Sequence, residues 1–213
     1  TKGLDSFRTA YLDKDWESEL HLSMASPVNW ARAYDGALNE RDRLGDWLNT
    51  EVFQNGVVAD LWRPGHARTW INATDLYNGA PFAFVPAYFD ALCSDLATVR
   101  IADAVASSMS VPVIFRPVVV AAYASQCKTP LPDWVATAQR DRQASELMRS
   151  TASAFESYRD PARVRFVHLV DGGVADNFGL SNLIVMRRAA TTPFAPFAPR
   201  DAVRVRRMTF LVV

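Results

Sequence analysis

The chain has 213 residues, 49% of them apolar and 22% charged, which is the balance of a folded domain with a sizeable core and excludes a disordered or fibrous protein. Twenty-three basic and twenty-three acidic side chains give a formal net charge of zero, so no global field draws the chain to nucleic acid or to anionic lipid, and any lipid contact must be local. No run approaches the roughly 18 apolar residues of a membrane span, and Thr1-Lys2-Gly3-Leu4-Asp5 has neither an initiating Met nor a signal peptide's apolar segment.

Residues 1 to about 55 read as interrupted helix, with apolar positions at helical spacing across Gly36 to Leu44. Thr69-Trp70-Ile71-Asn72-Ala73-Thr74 is β-rich and stops at Asp75, and Phe82-Ala83-Phe84-Val85 follows the turn signal Tyr77-Asn78-Gly79, which predicts a hairpin. Arg100 to Ser108 places small residues at helical intervals, and Val111-Pro112-Val113-Ile114-Phe115 reads as the strand after it. From Asp133 to about Tyr158 there is neither Gly nor Pro. Leu147, Met148, Thr151, Ala152, Phe155 and Tyr158 fall on one side there, which predicts a single long amphipathic helix.

Val164 to Val170 is a short β-prone run that ends at Asp171-Gly172-Gly173, and a helix is expected from Leu180 to Ala189. A Pro- and Ala-rich loop over 192–199 precedes a last strand from Val203 to Val213. Strands alternating with helices predict one α/β domain over 1–213, with a central, mainly parallel or mixed sheet between helical layers. Cys93 and Cys127, 34 positions apart, have neither a CxxC partner nor clustered histidines, so they form no zinc site. They are either bridged or two free thiols.

In an open α/β sheet, functional groups collect beyond the carboxyl ends of the strands, where Asp171 stands. Gly172 and Gly173 let the chain turn sharply out of the strand and let other backbone come close to the carboxylate. Taken alone, the run is equally a plain Asp-Gly turn. Its setting, Val170-Asp171-Gly172-Gly173-Val174-Ala175-Asp176-Asn177-Phe178-Gly179-Leu180, resembles the Asp-Gly-Gly segment of patatin-like phospholipases at nearly every position. The resemblance continues backward in order through Ile71-Asn72-Ala73-Thr74-Asp75-Leu76, Phe82-Ala83-Phe84 and Ala104 to Phe115, and spans about residues 55–185.

The resemblance implies a three-layer α/β/α fold and a cofactor-free lipid acyl hydrolase with a Ser-Asp dyad, acting on phospholipid or another acyl lipid and touching the membrane peripherally. Asp171 maps to the base. The serine of the G-x-S-x-G elbow and a Gly-rich oxyanion loop belong upstream of the matched blocks, so the domain reads as incomplete at its N-terminus. None of the nine glycines forms such an elbow. Serine and oxyanion donors are separate essentials, so this chain alone is expected to be inactive. The alternative is a non-catalytic lipid-binding or scaffold remnant of the same fold.

A carboxylate serves as base without histidine when apolar burial raises its proton affinity, and Val167, Leu169 and Phe178 are the expected walls. A triad through His168 is disfavoured because residues three apart on a strand face opposite ways; His21 and His66 have no motif around them. Ser107, Ser108 and Ser110 lack flanking glycines and read as helix packing. Asp75, Asp176 and Asn177 read as turn-fixing side chains and not as metal ligands. Phe194 and Phe197 are candidates either for lipid contact or for packing on the domain.

Overall fold

Asn72–Asp75 (β1) and Ala80–Ala83 (β2) form the expected hairpin, with Asn72 opposite Ala83 and Asp75 opposite Ala80. The Asp75 carboxylate accepts the Tyr77 and Asn78 amides at 3.0 and 3.3 Å and so closes the turn, while Gly79 takes the left-handed conformation, φ +59°, that lets the chain re-enter the sheet. The structure, a computed structural model, describes residues 2–15, 27, 41–63, 69–195, 197 and 199–205.

Phe166–Val170 (β4) lies against the other edge of β1, and Val118–Ala121 (β3) lies outside β4. The order is β2-β1-β4-β3, and every neighbouring pair is antiparallel. The chain is therefore mixed α/β, but the mainly parallel or mixed sheet expected from sequence is corrected to an antiparallel one. Two features cause this. A four-residue turn between β1 and β2 permits only antiparallel pairing. Between β3 and β4, moreover, the single helix expected over 133–158 is two helices that pack on each other, Asp133–Arg140 and Glu146–Tyr158.

The break between those helices carries its own local signals. Asp141 accepts the Gln143 amide at 2.8 Å in a turn of its own, and Ser145 caps the next helix by accepting the Met148 amide at 3.3 Å. A short helix-helix connection reverses the chain. One helix would have carried it across the sheet to start a parallel strand; two return it to the side it left.

A second correction concerns Val111 to Phe115, which turns instead of extending. The Ile114 and Phe115 amides both bond back to the Val111 carbonyl, at 3.2 and 3.0 Å, and Val113 adopts φ +76°. The strand forms further along, in the Val118–Ala121 run. The helices Ile101–Met109 and Ser181–Arg188 form as expected. Near the N-terminus Lys2–Phe7 and Arg41–Leu48 are helical, while most of Gly36 to Leu44, together with His21 and His66, lies outside the described residues. The same holds for 206–213 of the last expected strand; 203–205 follow the short helix Pro199–Ala202 as a turn.

The core is aromatic. Phe82, Phe84, Phe89, Phe155 and Tyr158 are all fully buried, and Tyr88 sits between Phe82 and Phe155 with ring centroids 4.9 and 4.8 Å away. Glu146–Tyr158 packs against β2 and against the helix Pro86–Leu92, and Ile101–Met109 packs against β1 and β4. Thr151, Ala152, Phe155 and Tyr158 supply the buried side of that helix, whereas Leu147 and Met148 reach only its half-buried margin.

Cys93 and Cys127 are joined by a disulfide with Cα atoms 5.2 Å apart. The bridge ties the end of Pro86–Leu92 to the segment after β3, and the Arg159 guanidinium reinforces it by donating to the carbonyls of Asp90, Ala91 and Thr129. Closing a loop of this length restricts the unfolded chain, so reduction is expected to lower stability by about 2–4 kcal/mol. Urea unfolding with and without dithiothreitol measures this directly; coincident midpoints would mean that the bridge contributes nothing.

Candidate active site around Asp171

The chain leaves β4 at Val170 and is held at once from two sides. The Asp171 amide donates to the Ser110 carbonyl at 2.9 Å, just beyond the helix Ile101–Met109. On the other side the Thr74 hydroxyl, on β1, donates to the Asp171 carbonyl at 2.8 Å and accepts the Ala175 amide at 3.1 Å. Asp171 then caps a single tight turn, Gly172–Val174, its Oδ1 accepting the Gly173 amide at 2.7 Å.

The two glycines have distinct reasons. A Cβ on Gly172 would lie 3.0 Å from the Asn72 carbonyl oxygen and 3.3 Å from its carbon, so the turn rests directly on the backbone of β1. On Gly173 it would lie 3.0 Å from Asp171 Oδ1, crowding the carboxylate itself. Since strand backbone cannot yield as a flexible side chain can, Gly172→Ala should cost about 1–3 kcal/mol. Thermal unfolding beside wild type checks it, and an unchanged midpoint would show that β1 gives way freely.

Asn72 and Thr74, two apart on β1 and so on one face, both serve this loop. Asn72 Nδ2 donates to the Gly179 carbonyl at 3.2 Å, and Asn182 Nδ2 donates to Asn72 Oδ1 at 3.0 Å. The Tyr88 hydroxyl in turn donates to Asn182 Oδ1 and contacts the Pro81 carbonyl at 2.9 Å. Gly179 takes φ +66°, and Asp176 Oδ2 accepts the Ser181 amide at 2.6 Å at the start of Ser181–Arg188. The stretch from Asp171 to Asn182 is thereby fixed to β1 at both ends. Sequence reasoning missed Asn72, Thr74, Asn182 and Tyr88 as supports, although polar side chains at alternate positions of β1, Asn72 and Thr74, were a visible signal.

Asp171 itself is half-buried. Its Oδ1 is engaged by Gly173, and among the described residues no donor is bound to Oδ2. The carboxylate is thus oriented by one oxygen and open at the other. The expected apolar walls do not assemble around it: Val167 and Leu169 are wholly within the core, and Phe178 is 71% exposed. Phe178 lies in the turn between Asp176 and Gly179, whose hydrogen bonds hold the backbone and leave the ring outward. Val174 and Leu180 are exposed beside it in sequence.

His168 is exposed on β4, whereas Val167 and Leu169 on either side of it are buried, and it opens onto a groove whose lining does not include Asp171. The Ser107 and Ser110 hydroxyls donate to carbonyls four residues back, Asp103 at 2.8 Å and Ala106 at 2.5 Å, as helix-packing serines do. Ser110 is nevertheless brought to Asp171 through its backbone, while Ser108 is half-buried. Asp75 is fully buried and its oxygens receive two amides, the Asn78 side chain and the Tyr158 hydroxyl, the role of a turn-fixing side chain. Burial first, then the Asp75 charge, holds the Tyr158 phenol well above the usual tyrosine range, so it stays a donor.

Phe194 is 40% exposed and Phe197 half-buried, its amide bonded to the Phe194 carbonyl at 2.9 Å. Among the described residues no three His, Cys, Asp or Glu side chains group to hold a metal, and no helix is long and apolar enough to cross a membrane. In comparisons with known proteins, no family model, curated protein or solved structure matches the chain.

Proposed function

We propose that the chain is the base-bearing part of a serine lipid acyl hydrolase of the patatin-like kind, with Asp171 as the base of a Ser-Asp dyad in a three-layer α/β/α domain. The observation that carries this reading is the half-anchored carboxylate: Oδ1 is fixed by the Gly173 amide, and Oδ2 is left to take a proton. Support comes also from the company Asp171 keeps. The segments around Asn72-Ala73-Thr74-Asp75 and Ser107 to Ser110, far apart in sequence, both bond to the Asp171 turn.

In this mechanism a serine hydroxyl contributed from outside residues 1–213 donates its proton to Asp171 Oδ2 as its oxygen attacks the ester carbonyl. Collapse of the tetrahedral intermediate releases the alcohol, which takes that proton, and leaves an acyl-serine. Water then attacks the acyl group and gives a proton to Asp171, and collapse of the second intermediate frees the fatty acid as the serine oxygen takes that proton back from Asp171. No metal or organic cofactor enters the scheme. Backbone amides near the serine would stabilise the oxyanion, so the 213 residues alone have no activity.

The test is the polypeptide encoded in frame upstream of Thr1 together with these residues. It should hold a Gly-rich loop, a strand and a G-x-S-x-G elbow, hydrolyse p-nitrophenyl acyl esters, and take a fluorophosphonate label on the elbow serine. A label on Ser110 would move the nucleophile into this chain. An authentic start at Thr1, with no label and no hydrolysis, would overturn the enzyme reading and leave a non-catalytic lipid-binding or scaffold protein.

A further inference from the structure

At the end of β4 away from Asp171, the chain forms an open groove of about 520 Å³ whose lining includes Tyr77, Arg163, Arg165, Phe166 and His168. Its charge is one-sided. Arg163, Arg165 and His168 are all exposed, and among the described residues none of their side chains has a hydrogen-bond or ion-pair partner. No carboxylate is among the lining residues. The two acids nearest in sequence are already engaged, Asp160 by the Ala162 amide at 2.9 Å and Asp75 by the turn and Tyr158.

The backbone beneath these side chains is held in place. The Arg163 and Val164 amides both bond to the Asp160 carbonyl at 3.0 Å, the Arg165 carbonyl accepts the Ala122 amide at 2.9 Å, and the His168 carbonyl accepts the Leu76 amide at 2.9 Å. A chain of zero net charge has therefore gathered two guanidiniums, an imidazole and a phenol on one fixed rim, beside the exposed Phe166 ring. Phosphate oxygens suit this set: guanidinium forks engage them in pairs, and imidazole and phenol supply further donors.

We infer that this groove binds a phosphate-bearing anion, with Arg163 and Arg165 as the principal contacts, His168 and Tyr77 as additional donors, and Phe166 against the organic group attached to the phosphate. Lipid headgroups and soluble phosphate esters share that chemistry. The site is separate from Asp171, and nothing in its recognition depends on ester hydrolysis.

Calorimetric titration of the protein with inorganic phosphate at low ionic strength tests it. Saturable binding is expected, and the double variant Arg163→Ala/Arg165→Ala should weaken it about tenfold or more, since each guanidinium supplies charge-assisted hydrogen bonds. The variant Arg187→Ala/Arg188→Ala, whose side chains are exposed on the helix Ser181–Arg188, removes the same charge and should bind as wild type does. Because all four arginines are exposed, an unchanged thermal midpoint is expected to show that folding is intact.

Cosedimentation then separates the sources. Binding to phosphatidylglycerol vesicles but not to phosphatidylcholine vesicles, lost in the first double variant, assigns the site to anionic headgroups; phosphate binding without vesicle binding assigns it to soluble esters. No phosphate binding by wild type, or equal losses in the two double variants, would overturn the site. Loss of Asp171-dependent activity has no bearing on either result.

Discussion

On the function proposed above, replacing Asp171 by Asn in the polypeptide that would carry the elbow serine is expected to lower kcat for ester hydrolysis by about 10³–10⁴-fold, as removal of a general base does. The substitution is chosen because the turn survives it. An Asn carbonyl can still accept the Gly173 amide that Asp171 Oδ1 accepts at 2.7 Å, and the backbone bonds to Ser110 and Thr74 are untouched. What is lost is an oxygen able to take up and return a proton. Initial rates on p-nitrophenyl esters, with thermal unfolding of the same preparation, separate chemistry from folding. Activity within about tenfold of wild type would be too small a loss for the base and would assign that role elsewhere.

Asp75→Ala is expected to be the most damaging single change to the fold, lowering stability by about 3–5 kcal/mol, the range for leaving buried polar partners uncompensated. Asp75 is fully buried at the end of β1. Its carboxylate accepts the Tyr77 and Asn78 amides, the Asn78 side chain at 2.6 Å and the Tyr158 hydroxyl at 2.8 Å. Alanine would strand those donors together, open the β1–β2 turn and loosen the helix that carries Tyr158. Urea denaturation gives the difference, and a loss under about 1 kcal/mol would mean that water or a rearranged turn satisfies the donors. Tyr158→Phe, which removes only one of the four donors, should cost markedly less.

The hairpin, the helix Ile101–Met109, β4 and the helix Ser181–Arg188 were legible because each is announced locally, by alternation, helical spacing or a turn signal. The turn at Val111 to Phe115 was not. Four β-prone side chains suggested a strand, but the Ile114 and Phe115 amides close locally on Val111, and the strand forms further along. The position of Asp171 beyond a strand end was legible too, as were the turn roles of Asp75 and Asp176. The apolar pocket drawn around Asp171 was not, because side-chain type says what a residue prefers and not which elements arrive to cover it; Phe178 stayed outside.

The sequence by itself determined the elements that hydrogen bonds within a few residues can define, the composition of the core, and the carboxylate-turn motif with its two glycines. Only the tertiary structure decided the direction of β4 beside β3, because that depended on whether residues 133–158 formed one helix or two. The Asp141 turn and Ser145 cap reverse the chain there, and that reversal makes β4 antiparallel to β3 and delivers Asp171 between Thr74 and Ser110. It likewise decided that Cys93 and Cys127 meet and that Tyr77, from the β1–β2 turn, shares a groove with Arg163, Arg165 and His168. The physical reason is common to all three: contacts between distant segments depend on how the whole chain packs, and a local pattern of residue types carries no record of which segment will be its neighbour.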